Sequence, residues 1–230
     1  MKLILIGGVP RTGKTTLAKK LASDLGISWI STDALESIAH SYTPAEAVEE
    51  RFPKSIMRRE TNRNNDDFYA TYSISEIVDS YCTQADTASN AIEALAEYAD
   101  KEGWGYVIEG YHITPQLLAK LRDTVIQFSS VILVNTNPQE AIERSRQSDV
   151  KSDWVRDNTK SEETYSKICE SIQEHSGRLI KAAQEYDIQC LDMSEDFEVR
   201  IEEIYTLLTE WSWTKRWDRC SRIILLFKLK

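Results

Sequence analysis

The run Gly8-Val9-Pro10-Arg11-Thr12-Gly13-Lys14-Thr15 fits the spacing G-x-x-x-x-G-K-[ST]. That spacing has a physical purpose. Its glycines let the backbone curl until successive N–H groups point at one set of phosphate oxygens. A helix that starts at the lysine adds its positive N-terminus. The residues expected at a nucleoside triphosphate are Gly8, Arg11, Thr12, Gly13, Lys14, Thr15 and Thr16. Lys14 reaches the β- and γ-phosphates of ATP, and the Thr15 hydroxyl ligates Mg²⁺. The alternative is a chance glycine turn. An apolar run before the motif and a helical pattern after it argue against that.

Other residues have the types needed to act on a phosphate held there. Asp33, in Ser31-Thr32-Asp33, follows a second apolar run. A carboxylate at the carboxyl edge of a sheet can orient a hydroxyl and take its proton. Thr and Asp are also favoured helix caps, so an N-cap role competes with or accompanies the chemical one. Glu109, in Val107-Ile108-Glu109-Gly110-Tyr111-His112, ends a third apolar run. It can hold Mg²⁺ or contact substrate, and Gly110 leaves room for close approach of a ligand. The plainer reading is a solvated strand-end acid. His112 is either a substrate contact or a structural hydrogen-bonder. Two basic groups interrupt an acidic chain. Arg51, Lys54, Arg58, Arg59 and Arg63 form one; Arg144, Arg146, Lys151, Arg156 and Lys160 form the other. Each is a phosphate clamp or a solvated helix face.

These residues need elements to hold them. Lys2–Ile6 is short, apolar and rich in branched side chains, as suits a strand buried on both faces. Residues 27–30, 106–108, 131–134 and 188–191 read as four more strands. Leu17, Ala18, Leu21, Ala22 and Leu25 recur at helical spacing, and Gly26 closes that helix. Strand and helix alternate, which predicts an α/β fold with a parallel sheet. About 75 residues separate the second and third strands. There Thr43-Pro44 with Glu46 reads as a capping box, and Ser73–Asp100 as a long helix, so residues 34–103 form a helical insertion. Thr114-Pro115 and Asn137-Pro138 read as further cap-plus-Pro helix starts. Residues 148–159 read as a polar, mobile loop, followed by helices from Ser161 to Tyr186 and from Asp196 to Trp211.

Over about residues 1–210 the chain resembles the small P-loop kinases related to adenylate and shikimate kinase. That resemblance implies a three-layer P-loop fold with five parallel strands in the order 2-3-1-4-5. One kinase domain would span 1–214, with an acceptor-binding insertion at 34–103 and a lid at 144–160. Asp33 would contact the acceptor hydroxyl, Arg58 and Arg59 its anionic group. Arg144 and then Arg156 would close over the phosphates. Asp192-Met193-Ser194 would pass near the adenine. The segment Ile108-Glu109-Gly110-Tyr111-His112-Ile113-Thr114-Pro115 is similar to the I-E-G-x-H-x-x-P run of 2-phosphoglycerate kinases, and Thr32-Asp33 to their T-D. By that likeness Asp33, Glu109 and His112 line the acceptor site. Glu36 stands where those kinases tend to place an Arg, and an acid there would repel a phosphorylated acceptor.

Composition narrows the field. The 230 residues carry 28 Lys and Arg against 37 Asp and Glu, a formal charge of −9. That argues against a dedicated nonspecific nucleic-acid binder. Cys82, Cys169, Cys190 and Cys220 form no C-x-x-C pair, which reads as a reduced, cytoplasmic protein without a zinc site. No apolar stretch approaches the length of a bilayer span. The region after the fourth strand reads Asn135-Thr136-Asn137-Pro138, without the Lys and Asp of a guanine-reading N-K-x-D. No apolar strand ends in Asp-Glu, which argues against a motor or AAA-type ATPase. The leading expectation is a Mg²⁺–ATP-dependent phosphotransferase acting on a small molecule. A polynucleotide or nucleotide-sugar kinase resembling zeta-type toxins, and a nucleotide-switched binding module, remain alternatives. Residues 215–230 carry six cations against Asp218 and an apolar run, and have no assigned role.

Overall fold

The computed structural model describes residues 2–149, 151 and 153–210. The basic tail at 215–230 and Trp211, Trp213 and Trp217 lie outside them. The predicted strands are present as β1 (Leu3–Gly8), β2 (Ser28–Ser31), β3 (Tyr106–Glu109), β4 (Ser129–Val134) and β5 (Cys190–Asp192). They form one parallel sheet in the order β2-β3-β1-β4-β5.

Successive side chains of a strand point to opposite faces, and here both faces are covered. Ile4, Ile6, Val107, Val131 and Leu133 pack under α1 (Lys14–Leu25) and α11 (Phe197–Glu210). Leu3, Leu5, Ile108, Ile132 and Val134 pack under the other layer. That layer includes α6 (Ile74–Glu102), α7 (Pro115–Arg122) and α10 (Glu162–Tyr186). Among the described residues no helix is long and apolar enough to cross a membrane.

Between β2 and β3 the chain runs through α2 (Thr32–Tyr42), α3 (Ala45–Arg51), α4 (Pro53–Glu60), α5 (Asn65–Thr71) and α6. The capping box falls at α6, where Ser73 and Glu76 satisfy each other's backbone N–H groups. It is not at Thr43. That hydroxyl donates back to the Ala39 carbonyl and finishes α2, and α3 starts after Pro44 without a side-chain cap. Thr114 caps α7 as predicted, through Leu117 N. Asn137 caps nothing; α8 (Gln139–Arg146) follows Pro138 without a side-chain cap.

The stretch expected to be a mobile loop contains a short helix, α9 (Trp154–Asn158). Five residues cannot hold a helix alone. Val155 anchors it, being wholly buried in the main core, and Asp153 caps it through Val155 N and Arg156 N.

Candidate active site

Register brings the chemistry together. Glu109 lies level with Ile6 on one side and Ser31 on the other. The carboxyl ends of β1, β2 and β3 therefore meet along one edge, each passing its next residues into the same space. A cavity of about 710 Å³ opens there, bordered by Lys14, Thr15, Asp33, Glu109 and Arg144.

The loop after β1 curls through positive φ at Arg11 (65°) and Gly13 (79°). A side chain on Gly13 would collide with Phe197, its Cβ 2.6 Å from that ring. Thr12 Oγ1 donates to the Val9 carbonyl at 2.9 Å, and the Lys14 ammonium donates to the same carbonyl. Burial lowers the Lys14 pKa to about 8, against the opposing pull of Glu109 and Asp33. Thr15 Oγ1 donates to Glu109 Oε1 at 3.2 Å. Glu109 is itself 3% exposed, and burial raises its pKa while Lys14 holds it down.

Asp33 stands in the first turn of α2 with 73% of its side chain exposed, on the cavity wall. It does not cap the helix. Ser31 does, accepting from Asp33 N at 3.2 Å. Thr32, wholly buried, turns its hydroxyl to His112 Nδ1 at 2.7 Å. A side chain at Gly110 would collide with that Thr32 hydroxyl, 1.8 Å from where its Cβ would sit, and Gly110 itself borders the cavity.

His112 is wholly buried, with its Nε2 2.6 Å from Glu36 Oε2. It does not border the cavity; it backs Asp33 at 3.9 Å. Burial lowers the His112 pKa, so a neutral ring accepts from Thr32 and donates to Glu36. Glu36 also accepts from Tyr111 OH at 2.8 Å and pairs with Lys54 at 3.8 Å. Burial alone would raise the Glu36 pKa; the His112 hydrogen bond and the Lys54 charge outweigh it and hold it at about 2. Glu36, which borders the cavity, is thus ionised and shares its charge with His112, Tyr111 and Lys54.

The first basic group divides. Lys54 and Arg58 border the cavity. Lys54 sits 3.9 Å from the ring centre of Tyr111 and 4.8 Å from that of Tyr81. Arg58 donates to Asn65 Oδ1 at 2.6 Å and lies over the Phe68 ring. Arg59, with Arg51 and Arg63, is exposed and away from the cavity. The second group divides as well. Arg144 borders the cavity, pairs with Glu140 and lies 5.2 Å from the Phe197 ring centre. Arg156 does not border the cavity, but it donates to Asp157 at 2.8 Å and to the carbonyl of Ser148, which does. Arg146 is tied to Glu162. Met193 is buried in the core, and Asp192 accepts from Thr136 N and Ser194 N, so that stretch does not border the cavity either.

Sequence reasoning missed Phe197, Tyr81, Tyr111 and Asp153 on the cavity wall, and Asn65 behind it. Lys54 stood within a flagged basic group. The aromatic residues carried no signal, since their spacing equally suits a core.

A family described as an AAA domain matches residues 4–165, well over half of the chain. The missing Asp-Glu strand end therefore does not exclude an AAA family; here β3 ends in a single acid, Glu109. A 2-phosphoglycerate kinase of Pyrococcus furiosus is 27% identical over 84% of this chain and 59% of its own length. One of Thermococcus kodakarensis is 25% identical over 84% of this chain and 61% of its own. The chain thus spans about six tenths of these curated relatives. Among solved structures, a shikimate kinase of Bacteroides thetaiotaomicron is 18% identical, with a TM-score of 0.49, over 90% of this chain and 98% of that one.

Proposed function

Because the chain belongs to the AAA domain family and carries an intact phosphate-cradling loop, we propose that it is a Mg²⁺–ATP-dependent phosphotransferase. Its acceptor is a hydroxyl or phosphate of a small molecule that bears a phosphate or carboxylate. 2-Phosphoglycerate is the first candidate, on the names of the curated relatives.

One observation carries this reading. Lys14, Thr15, Glu109 and Asp33 border a single cavity that Arg58 and Lys54 also border. A phosphate donor, a metal site, a candidate base and cations for an acceptor share one space.

The residues suit the groups the reading needs. Thr15 Oγ1 and Glu109 offer hard oxygen donors 3.2 Å apart, the donor type that magnesium takes. The curled loop and the start of α1 suit a triphosphate. Magnesium, when bound, would neutralise charge on the phosphate oxygens.

The chain's own groups have separate tasks. Lys14 places a cation at the phosphates. Asp33, exposed to the cavity and backed by His112, orients the acceptor hydroxyl and accepts its proton. Arg144 offers a guanidinium to charge on the transferring group. Lys54 and Arg58 receive the acceptor's anion, with Glu36 holding Lys54 in place.

ATP consumption by the purified full chain should be measured with 2-phosphoglycerate, a panel of hydroxy acids and sugars, and 5′-hydroxyl oligonucleotides. A phosphorylated small molecule in the product spectrum supports the proposal. Transfer to the oligonucleotides alone would move the assignment to a polynucleotide kinase. Nucleotide binding without transfer to any of them would leave a binding module.

A further inference from the structure

Asn65 opens α5 and is wholly buried. Every hydrogen of its carboxamide is used. Arg58 Nη1 donates to its Oδ1 at 2.6 Å, and its Nδ2 donates to the Trp154 carbonyl at 2.9 Å and to Thr159 Oγ1 at 2.8 Å. The orientation follows from chemistry. A guanidinium can only donate and a peptide carbonyl can only accept, so the amide fits one way round.

The two ends of this junction face opposite halves of the cavity. Arg58 lies on the acceptor side, and among the described residues no carboxylate pairs with it. Its second amine is held by the Arg63 carbonyl at 2.7 Å. On the other side Trp154 begins α9, which Asp153 caps. The Asp153 carboxylate accepts from Ser145 Oγ and pairs with Arg11 of the phosphate loop. The Arg11 guanidinium lies 5.6 Å from the Trp154 ring centre. Its Nε is buried without a hydrogen-bond partner among the described residues. An unspent donor thus stands in the phosphate loop, one ion pair away from α9.

We propose that Asn65 is a positioning residue that couples the two halves of the cavity. Occupation of the phosphate loop is felt at Arg11 and passes through Asp153 and α9 to Asn65. Asn65 then sets the Arg58 guanidinium that receives the acceptor's anion. By linkage, an anion at Arg58 tightens the nucleotide to the same degree. The proposal rests on the phosphotransferase reading for what occupies each end.

Hydrogen exchange on the full chain, with and without Mg²⁺ and a non-hydrolysable ATP analogue, tests it without an acceptor. In the wild type the analogue should slow exchange in α9 and across residues 56–65, by about fivefold or more for a coupling of ordinary size. Asn65→Asp keeps an oxygen for Arg58 but loses the N–H that holds Trp154. It should bind the analogue within about threefold of wild type, while protection stops at α9. Thr159→Val should weaken the spread and Thr159→Ser restore it. Should Asn65→Asp fail to fold, the two Thr159 variants decide. Wild-type protection confined to the loop and α9, or unchanged spread in Asn65→Asp or Thr159→Val, overturns the coupling and leaves the phosphotransferase reading standing. No analogue binding by the wild type overturns both.

Discussion

His112 Nε2 meets Glu36 Oε2 at 2.6 Å, so a buried neutral ring secures a carboxylate on the cavity wall. Glu36→Gln removes the charge and leaves Lys54 buried without its partner. Breaking such a pair costs on the order of 3 kcal/mol. Urea unfolding at pH 7 should show a loss of that order. The pKa is depressed to about 2, so this contribution is fully present above about 4.5 and fades as pH falls towards 2. The gap between variant and wild type should therefore shrink near pH 3. An equal gap at both pH values would mean that Glu36 acts through packing alone.

Lys14→Ala should cut ATP turnover by about 10²-fold or more, as loss of a charge-stabilising donor does. The fold should survive, because burial already disfavours the lysine's charged form. A melting temperature at or slightly above that of wild type, with turnover lost, is the expected pair of results. Near wild-type turnover would remove the loop from the chemistry.

The same lysine sets a pH dependence. In the free protein its pKa is lowered to about 8, and bound phosphates would raise it again. Binding then takes up a proton wherever the pH lies between the two values. Nucleotide affinity should hold below pH 8 and fall by up to about tenfold per unit above it. Calorimetry in buffers of different ionisation enthalpy would count that proton. Lys14→Arg should flatten the profile, because a guanidinium stays charged throughout.

Asp33→Asn should reduce turnover by about 10²- to 10⁴-fold if the carboxylate accepts the acceptor's proton. With 73% of the side chain exposed, stability should change by less than about 0.5 kcal/mol. Nucleotide affinity should stay near wild type. Its loss would instead place Asp33 at the metal.

Legibility in the sequence followed the range of the interactions. Local patterns read well. Short segments with apolar residues marked all five strands, Ser73–Asp100 marked α6, and Thr114-Pro115 marked the start of α7. Two caps failed. Thr43 bonds back to Ala39, and α8 starts after Pro138 without a side-chain cap from Asn137. The loop at 148–159 read as mobile because its anchor, Val155, is one apolar residue among polar ones, and only the tertiary core shows it buried. In the candidate site the phosphate loop, Asp33 and Glu109 were legible because each lies at or just past the carboxyl end of its strand. Lys54 with Glu36, and Asn65 with Thr159, were not. Those pairs join segments brought together by helix packing, and no spacing along the chain encodes them.

The Ser31 cap carries a consequence for inheritance. Because Ser31 secures the start of α2, the helix places no demand on the side chain at 33. A lineage can exchange that aspartate and keep its melting temperature, its expression and its nucleotide. If Asp33 has the role proposed for it, such a descendant would be a pseudoenzyme of ordinary robustness, invisible to any screen for foldedness and detectable only by assaying transfer.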